Sequence, residues 1–176
     1  MNTIPLISHE QYEREQYRKK SSCEELWELL DQVKDPEIPV ISIWDLGVLR
    51  DIEVCEGRVV VTITPTYSGC PAMETIRSDI KEVLNSAGYA EHEVKTQLAP
   101  AWTSEWMSAE GRKNLRNYGI APPEDTAADI TPEQNVACPR CSSENTVRVS
   151  EFGSTACKAL FQCRDCGEPF DYFKKI

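Results

Sequence analysis

The chain has 176 residues, enough for one ordinary domain and a small second one, and its 40% hydrophobic and 27% charged residues are those of a globular protein. The net charge of −10 is uneven: 13 basic against 20 acidic residues in 1–120, no base against four acids in 121–135, and six basic against five acidic in 136–176. No segment has the basic footprint that a phosphate backbone demands, and no apolar run approaches the roughly 18 residues that span a bilayer, so neither nucleic acid nor membrane is an expected partner.

The first 21 residues are polar and read as a helical extension or a loose arm. A helix should start at Ser21-Ser22-Cys23-Glu24-Glu25, where Ser22 and Glu25 have capping-box spacing, and continue through Leu26, Leu29, Leu30 and Val33. It should stop before Asp35-Pro36, because the residue before proline avoids the helical region. Residues 48–63 then read as a hairpin. Val48, Arg50, Ile52 and Val54 share one strand face, Val59, Val61 and Ile63 alternate on the next strand, and Glu56-Gly57 forms the turn. After Cys70, a stripe of Ile76, Ile80, Val83, Leu84 and Ala87 predicts a helix that Gly88 ends. A third strand follows, with Val94, Thr96 and Leu98 on one face.

This α-β-β-α-β order predicts a compact α+β domain over residues 22–120, with helices on one side of a three-stranded sheet. A short helix or helical hairpin carrying Trp102 and Trp106 closes it, the two rings serving as core or interface anchors. Residues 121–135 (APPEDTAADITPEQN) are acidic, proline-rich and aperiodic, as a linker would be.

The N-terminus lacks the apolar core of a signal peptide, which places the protein in the cytoplasm. There eight cysteines argue for reduced thiols and metal ligation rather than disulfides. Cys138-x-x-Cys141 and Cys163-x-x-Cys166, with strand-like TVRVS, KALFQ and FDYFK segments, make residues 136–176 a β zinc ribbon. So small a domain could hardly stand on burial alone, whereas bound zinc contributes about 10–16 kcal/mol in comparable cases. Four sulfur ligands leave no open position, so the zinc is structural. A rubredoxin-like iron centre and two disulfides are the competing occupants, disfavoured by ligand type and compartment.

Cys70, in TPTYSGCPA, stands just before a proline suited to the first helical position. As an N-cap it would face free N–H groups and the positive end of the helix dipole, which favour thiolate. Thiolate ligates metal or attacks an electrophile. The other reading is a small residue packed in a turn. Only His9 and His92 exist and neither is an obvious general base, which weakens the case for a thiol enzyme. Asp35 and Glu37 lie on a proline-framed loop followed by Asp45-Leu46-Gly47. They either cap that loop or join Cys70 at one end of the sheet. Cys157, in GSTACK, is a packed small residue or an auxiliary thiol.

DPEIPVISIWDLGVL (35–49) together with TPTYSGCPA resembles the signature of the iron–sulfur assembly (SufT-like) domain, over roughly residues 22–98. PAWTSEWM (100–107), EFGSTACKALFQC (151–163) and EPFDYFK (168–174) extend the likeness to the PaaD-type family encoded with the phenylacetyl-CoA ring 1,2-epoxidase. The resemblance implies an accessory protein without a catalytic constellation of its own, assisting the maturation of iron or iron–sulfur centres in the epoxidase system, especially its iron–sulfur reductase. By position it implies Cys138, Cys141, Cys163 and Cys166 as zinc ligands and Cys70 as the reactive thiol, which would handle iron or a cluster transiently with help from Cys157 or from Cys70 of a second chain in a homodimer. The alternative is a non-catalytic scaffold that docks on the oxygenase through its ribbon.

Overall fold

The computed structural model describes residues 8–123 and 136–176, so most of the expected linker lies outside the described residues. The chain divides into two compact units, Met1–Gly111 and Arg112–Ile176. No helix among the described residues is long and apolar enough to cross a membrane.

The first unit contains α1 (His9–Lys20), α2 (Glu24–Leu30), β1 (Leu49–Cys55), β2 (Arg58–Ile63), α3 (Ala72–Ser86), β3 (His92–Thr96) and a 3-10 turn at Ser104–Trp106. Its sheet order is β1-β2-β3, with β1 antiparallel and β3 parallel to the central β2. Both turn residues of the β1–β2 hairpin have positive φ, Glu56 at 52° and Gly57 at 81°, the backbone of a tight two-residue connection. The expected face of β1 is broken, however. The register shifts between Leu49 and Asp51, so that Leu49, not Val48 or Arg50, shares a face with Ile52 and Val54; Leu49 and Ile52 are buried, and Val54, next to the hairpin turn, is exposed. One extra residue in a strand moves every later side chain to the other face.

α3 buries Ala72, Ile76, Ile80 and Leu84. It ends in a Schellman motif: Tyr89 N donates to Leu84 O at 2.9 Å, Gly88 N donates to Asn85 O at 3.0 Å, and Gly88 has φ 89°. The last strand is shorter than expected. It stops at Thr96, and Leu98 beyond it is exposed.

The polar N-terminal segment is a docked helix. Ser8 Oγ accepts Gln11 N at 3.1 Å and donates to Glu105 O at 2.9 Å, and Arg18 bridges to Asp31 at 2.6 Å. The deeper tie is Arg14, buried over the Trp44 ring and donating to the carbonyls of Trp44, Leu49 and Trp106. The capping box expected at Ser22 does not form, because α2 starts one residue later: Cys23 is its N-cap, and Cys23 N donates to Ser21 Oγ at 3.1 Å.

α4 (Ala109–Tyr118) leads into the second unit, whose strands are β4 (Ile120–Ala121), β5 (Thr146–Ser150), β6 (Lys158–Cys163) and β7 (Pro169–Phe173). The three longer strands follow the sequence expectation. β4 is an addition: it pairs parallel with β7 and completes the order β4-β7-β6-β5. Phe161 stacks on Phe170 at 6.0 Å in a small core shared with Ala121, Ala159, Cys138 and Cys163.

Candidate functional site

Two CxxC turns of the same shape build the ribbon's metal centre. In the first, Cys138 O accepts Ser142 N at 2.8 Å and Cys138 N donates to Ser143 O at 2.9 Å. In the second, Cys163 O accepts Gly167 N at 3.0 Å and Cys163 N donates to Glu168 O at 2.9 Å. The residue after each knuckle has positive φ, 61° at Ser142 and 77° at Gly167. The four Sγ atoms lie within 4.8 Å of one another. The Cys138–Cys166 and Cys141–Cys163 sulfurs are 3.8 and 3.6 Å apart. A tetrahedron with sulfur about 2.3 Å from zinc has edges of about 3.8 Å, whereas a disulfide would need about 2.05 Å. The donor set therefore fits a tetrahedral thiolate-bound ion such as zinc. Cys166 N–H points at Cys163 Sγ at 3.5 Å, and this bond pulls the Cys163 thiol down to about 7, toward the ligating form.

Cys70 occupies a different setting. β2, α3 and β3 form a parallel crossover, and the loop 64–71 lies at the carboxyl end of β2, where open α/β arrangements place their ligand sites. The same end of the sheet carries the entry to β1 and the exit from β3: Thr64 N donates to Val48 O, and Gln97 N donates to Ile63 O, both at 2.9 Å. Cys70 is half-buried there, and its N–H donates to Tyr67 O at 3.1 Å. It is not the N-cap. Pro71, with helical dihedrals of −70° and −21°, holds that position, and Cys70 O accepts Met73 N at 3.4 Å in a tightened first turn.

The other sequence candidates each have structural contacts of their own. Asp35 is buried, and its Oδ1 accepts the N–H groups of Glu37 and Ile38, both at 2.9 Å, so it caps its own loop. Asp35 and Pro36 line a cleft of about 690 Å³ against Asp79, Glu82 and Val83 of α3. Asp79 is about 10 Å along the helix from Ala72 at a rise of about 1.5 Å per residue, and Cys70 does not line this cleft. Glu37 is exposed. Asp45 serves architecture: its carboxylate accepts Ser42 Oγ at 2.9 Å and Ser108 Oγ at 2.5 Å. Gly47, at φ +83°, leaves room for Trp106, whose Cβ would lie 2.8 Å from an added Cβ. Trp106 and Trp102 are both buried, and Trp102 Nε1 donates to Leu46 O at 3.1 Å.

Cys157 lies in the second unit, buried, with its Sγ 3.0 Å from Thr155 Oγ1. Its GSTACK loop wraps Asp171. Ser154 Oγ donates to Asp171 Oδ2 at 2.7 Å, and the buried Lys158 Nζ is 3.9 Å from the same carboxylate. Sequence reasoning also missed Arg14 and Arg50, because the groups they meet lie tens of residues away along the chain.

An α+β unit with a thiol at the carboxyl end of its central strand, followed by a four-thiolate ribbon, defines the class as an iron–sulfur assembly-type domain joined to a zinc ribbon. Residues 24–96 match the family described as iron-sulfur cluster assembly protein, and residues 122–174 match the PaaD zinc beta ribbon domain. An Escherichia coli (strain K12) protein, provisionally named as one of the subunits of a 1,2-phenylacetyl-CoA epoxidase, is 49% identical over 152 residues, 86% of this chain and 92% of that protein. The chain belongs to that PaaD family. An Fe-S protein maturation auxiliary factor of Porphyromonas gingivalis is 34% identical over 94 residues, 52% of this chain and 89% of that one. A crystal structure of a domain of unknown function from Bacillus anthracis, 32% identical, aligns with a TM-score of 0.49 over 59% of this chain and 95% of its own.

Proposed function

We propose that this protein is a cytoplasmic maturation factor of the phenylacetyl-CoA ring 1,2-epoxidase system, binding iron or an iron–sulfur cluster transiently at Cys70 for transfer to the reductase or oxygenase. The observation that carries the reading is the position of Cys70. It is a half-buried soft ligand at the carboxyl end of the central strand, inside the segment that matches the iron–sulfur assembly family. The maturation role of the Porphyromonas relative, which aligns over half of this chain, supports it. A single sulfur cannot retain a cluster against water, and a delivery protein must release its cargo. A second chain's Cys70 or the recipient's own thiols would complete the ligand set. The ribbon's structural zinc stays outside the transfer, since four sulfurs fill its coordination sphere. Asp35 and Cys157 are assigned to loop capping and ribbon packing.

Anaerobic reconstitution with ferrous iron and sulfide, comparing wild type with Cys70→Ser, tests the reading. Wild type should hold iron and activate apo-reductase, while the variant loses both at unchanged zinc content. Equal iron and equal activation would overturn it. A Cys70→Ser protein that still supports ring epoxidation in cells, where a ribbon-ligand variant does not, would instead identify a scaffold that docks through its ribbon.

A further inference from the structure

A second cleft, of about 660 Å³, opens in the first unit between α1, the start of β1 and the segment after β3, with Glu10, Glu13, Tyr17, Arg50, Asp51 and Trp106 on its walls. Its organising feature is Arg50, whose guanidinium carbon lies 3.4 Å from the centroid of the Trp106 ring. Stacking of this kind fixes the guanidinium plane and leaves its N–H edges for ligands. Arg50 Nη1 is buried and has no hydrogen-bond partner among the described residues. An unmet charged donor is costly, so the group calls for an acceptor.

The neighbouring cation singles Arg50 out. Arg14 also lines the cleft, but the carbonyls of Trp44, Leu49 and Trp106 satisfy it. Burial, and then repulsion from Arg50, hold Arg14 down to about 9. The cleft therefore contains two neighbouring guanidiniums, of which one is saturated and one lacks an acceptor. Among the described residues no carboxylate forms an ion pair with Arg50. Asp51 Oδ1 already accepts Tyr17 OH at 2.7 Å and Ile52 N at 2.8 Å, and Glu13 faces His9 at 3.7 Å.

The surrounding charge narrows what Arg50 can accept. Glu10, Glu13 and Asp51 outweigh Arg14 and Arg50, so the cleft as a whole is anionic and repels a free dianion such as phosphate. A single carboxylate accompanied by a cation meets both the unpaired guanidinium and the acidic rim. An acidic residue with a basic neighbour in a protein segment has that pattern. Arginine and half-exposed tyrosine are also the side chains that anchor protein interfaces, and Tyr17 is 52% exposed beside the cleft.

We propose that the Arg50 cleft is a docking site for a partner protein, which inserts an Asp or Glu carboxylate against the half-buried Arg50 side chain while an adjacent Lys or Arg faces Glu10 and Glu13. The site is independent of Cys70, and its test reads binding rather than metal transfer.

Full-length, zinc-loaded protein is titrated with acetyl-Ala-Glu-Lys-Ala-amide, with the Gln-Lys analogue, with sodium acetate and with inorganic phosphate, following the Arg50 side-chain Nε resonance by NMR. The Glu-Lys peptide should shift that resonance saturably, at least about tenfold more tightly than the other three probes, and weaken as salt is raised. Arg50→Lys, which keeps the charge but loses the fork and the stacking, should bind at least about fivefold more weakly. Acetate or phosphate binding as tightly as the Glu-Lys peptide would mark a small-anion site and overturn the proposal. So would an equal response to the Gln-Lys peptide, or no saturation with any probe. The wild-type series decides the matter even if an Arg50 variant fails to fold.

Discussion

Replacing Gly153 with alanine would drive a Cβ into Asp171 Oδ1, and would bring it to 3.2 Å from Asp171 Cγ and 3.3 Å from the Ala159 carbonyl carbon. The carboxylate cannot simply swing away, because Ser154 N and Oγ donate to it at 3.3 and 2.7 Å and the buried Lys158 depends on it. Overpacking of this sort costs about 1–3 kcal/mol, and pushing the carboxylate off its donors adds about 1–3 kcal/mol. The expected loss is therefore about 3 kcal/mol of ribbon stability. Gly57→Ala is the reference: with nothing within 4 Å of its added Cβ but φ at +81°, it should cost only about 1 kcal/mol. Urea unfolding of the zinc-saturated protein measures both, the Gly153 variant by release of the metal to a chromogenic chelator and the Gly57 variant by the amide signals of the first unit. In an Asp171→Ala background, itself weakened by about 2–3 kcal/mol, Gly153→Ala should cost under about 1 kcal/mol, a coupling of about 2 kcal/mol. An equal cost in both backgrounds would refute the steric argument and assign the penalty to the backbone.

Stripping the metal with a strong chelator should collapse the amide dispersion of residues 136–176 in NMR spectra and leave that of residues 8–111 intact, with zinc restoring the former; a ribbon that stays folded without metal would contradict the energetic role given to it. Tyr17 offers a pH readout. Its hydrogen bond to Asp51, followed by burial, pushes it up to about 12 from 10.0. The folded protein thus keeps this proton where the unfolded chain has lost it, so the stabilisation is complete below pH 10 and disappears as pH rises through 12. An ultraviolet difference titration against Tyr17→Phe should find the raised midpoint, and Asp51→Asn should bring it back toward 10; a wild-type midpoint already at 10 would break the link.

What could be read from the sequence is what short-range chemistry decides. Glu56-Gly57 sets a turn through two positive φ angles, Gly88 ends α3 with two backbone bonds, and each CxxC turn closes on its own carbonyls. What escaped is decided at long range or by a single residue of register. The bulge at Arg50 puts Leu49 rather than Val48 on the face of Ile52 and Val54, and nothing in a β-rich segment announces it. The docking of α1 depends on Arg14 meeting carbonyls 30, 35 and 92 residues away, so a segment with polar composition gives no sign of a buried anchor. Pro71 does stand at the start of α3, yet hydrogen bonding moves the cap from Cys70 onto the proline itself. Which way each acid of the DPEIPV loop turns was not legible either: the fold directs Asp35 onto the N–H groups of its own loop and leaves Glu37 exposed.

The two thiol environments differ in their packing. The ribbon's sulfurs are held by paired turns and an N–H directed at Cys163 Sγ, a frame that folds together with its ion. Elsewhere in the ribbon the Asp171 loop is tightly packed, as Gly153 illustrates. The Cys70 loop has the opposite character. A Cβ added at Gly69, next to the thiol, would meet nothing closer than the Tyr67 ring at 3.8 Å, an ordinary contact. Gly69 itself is exposed, so the turn beside the thiol is a surface feature rather than part of a close-packed interior. A surface turn of this kind is compatible with the proposed role of Cys70, which requires cargo and a recipient to reach the thiol in succession. Gly69→Ala should accordingly leave stability within about 0.5 kcal/mol of wild type, the range of a surface substitution away from any packed feature, and a larger loss in urea unfolding would show the loop to be packed after all.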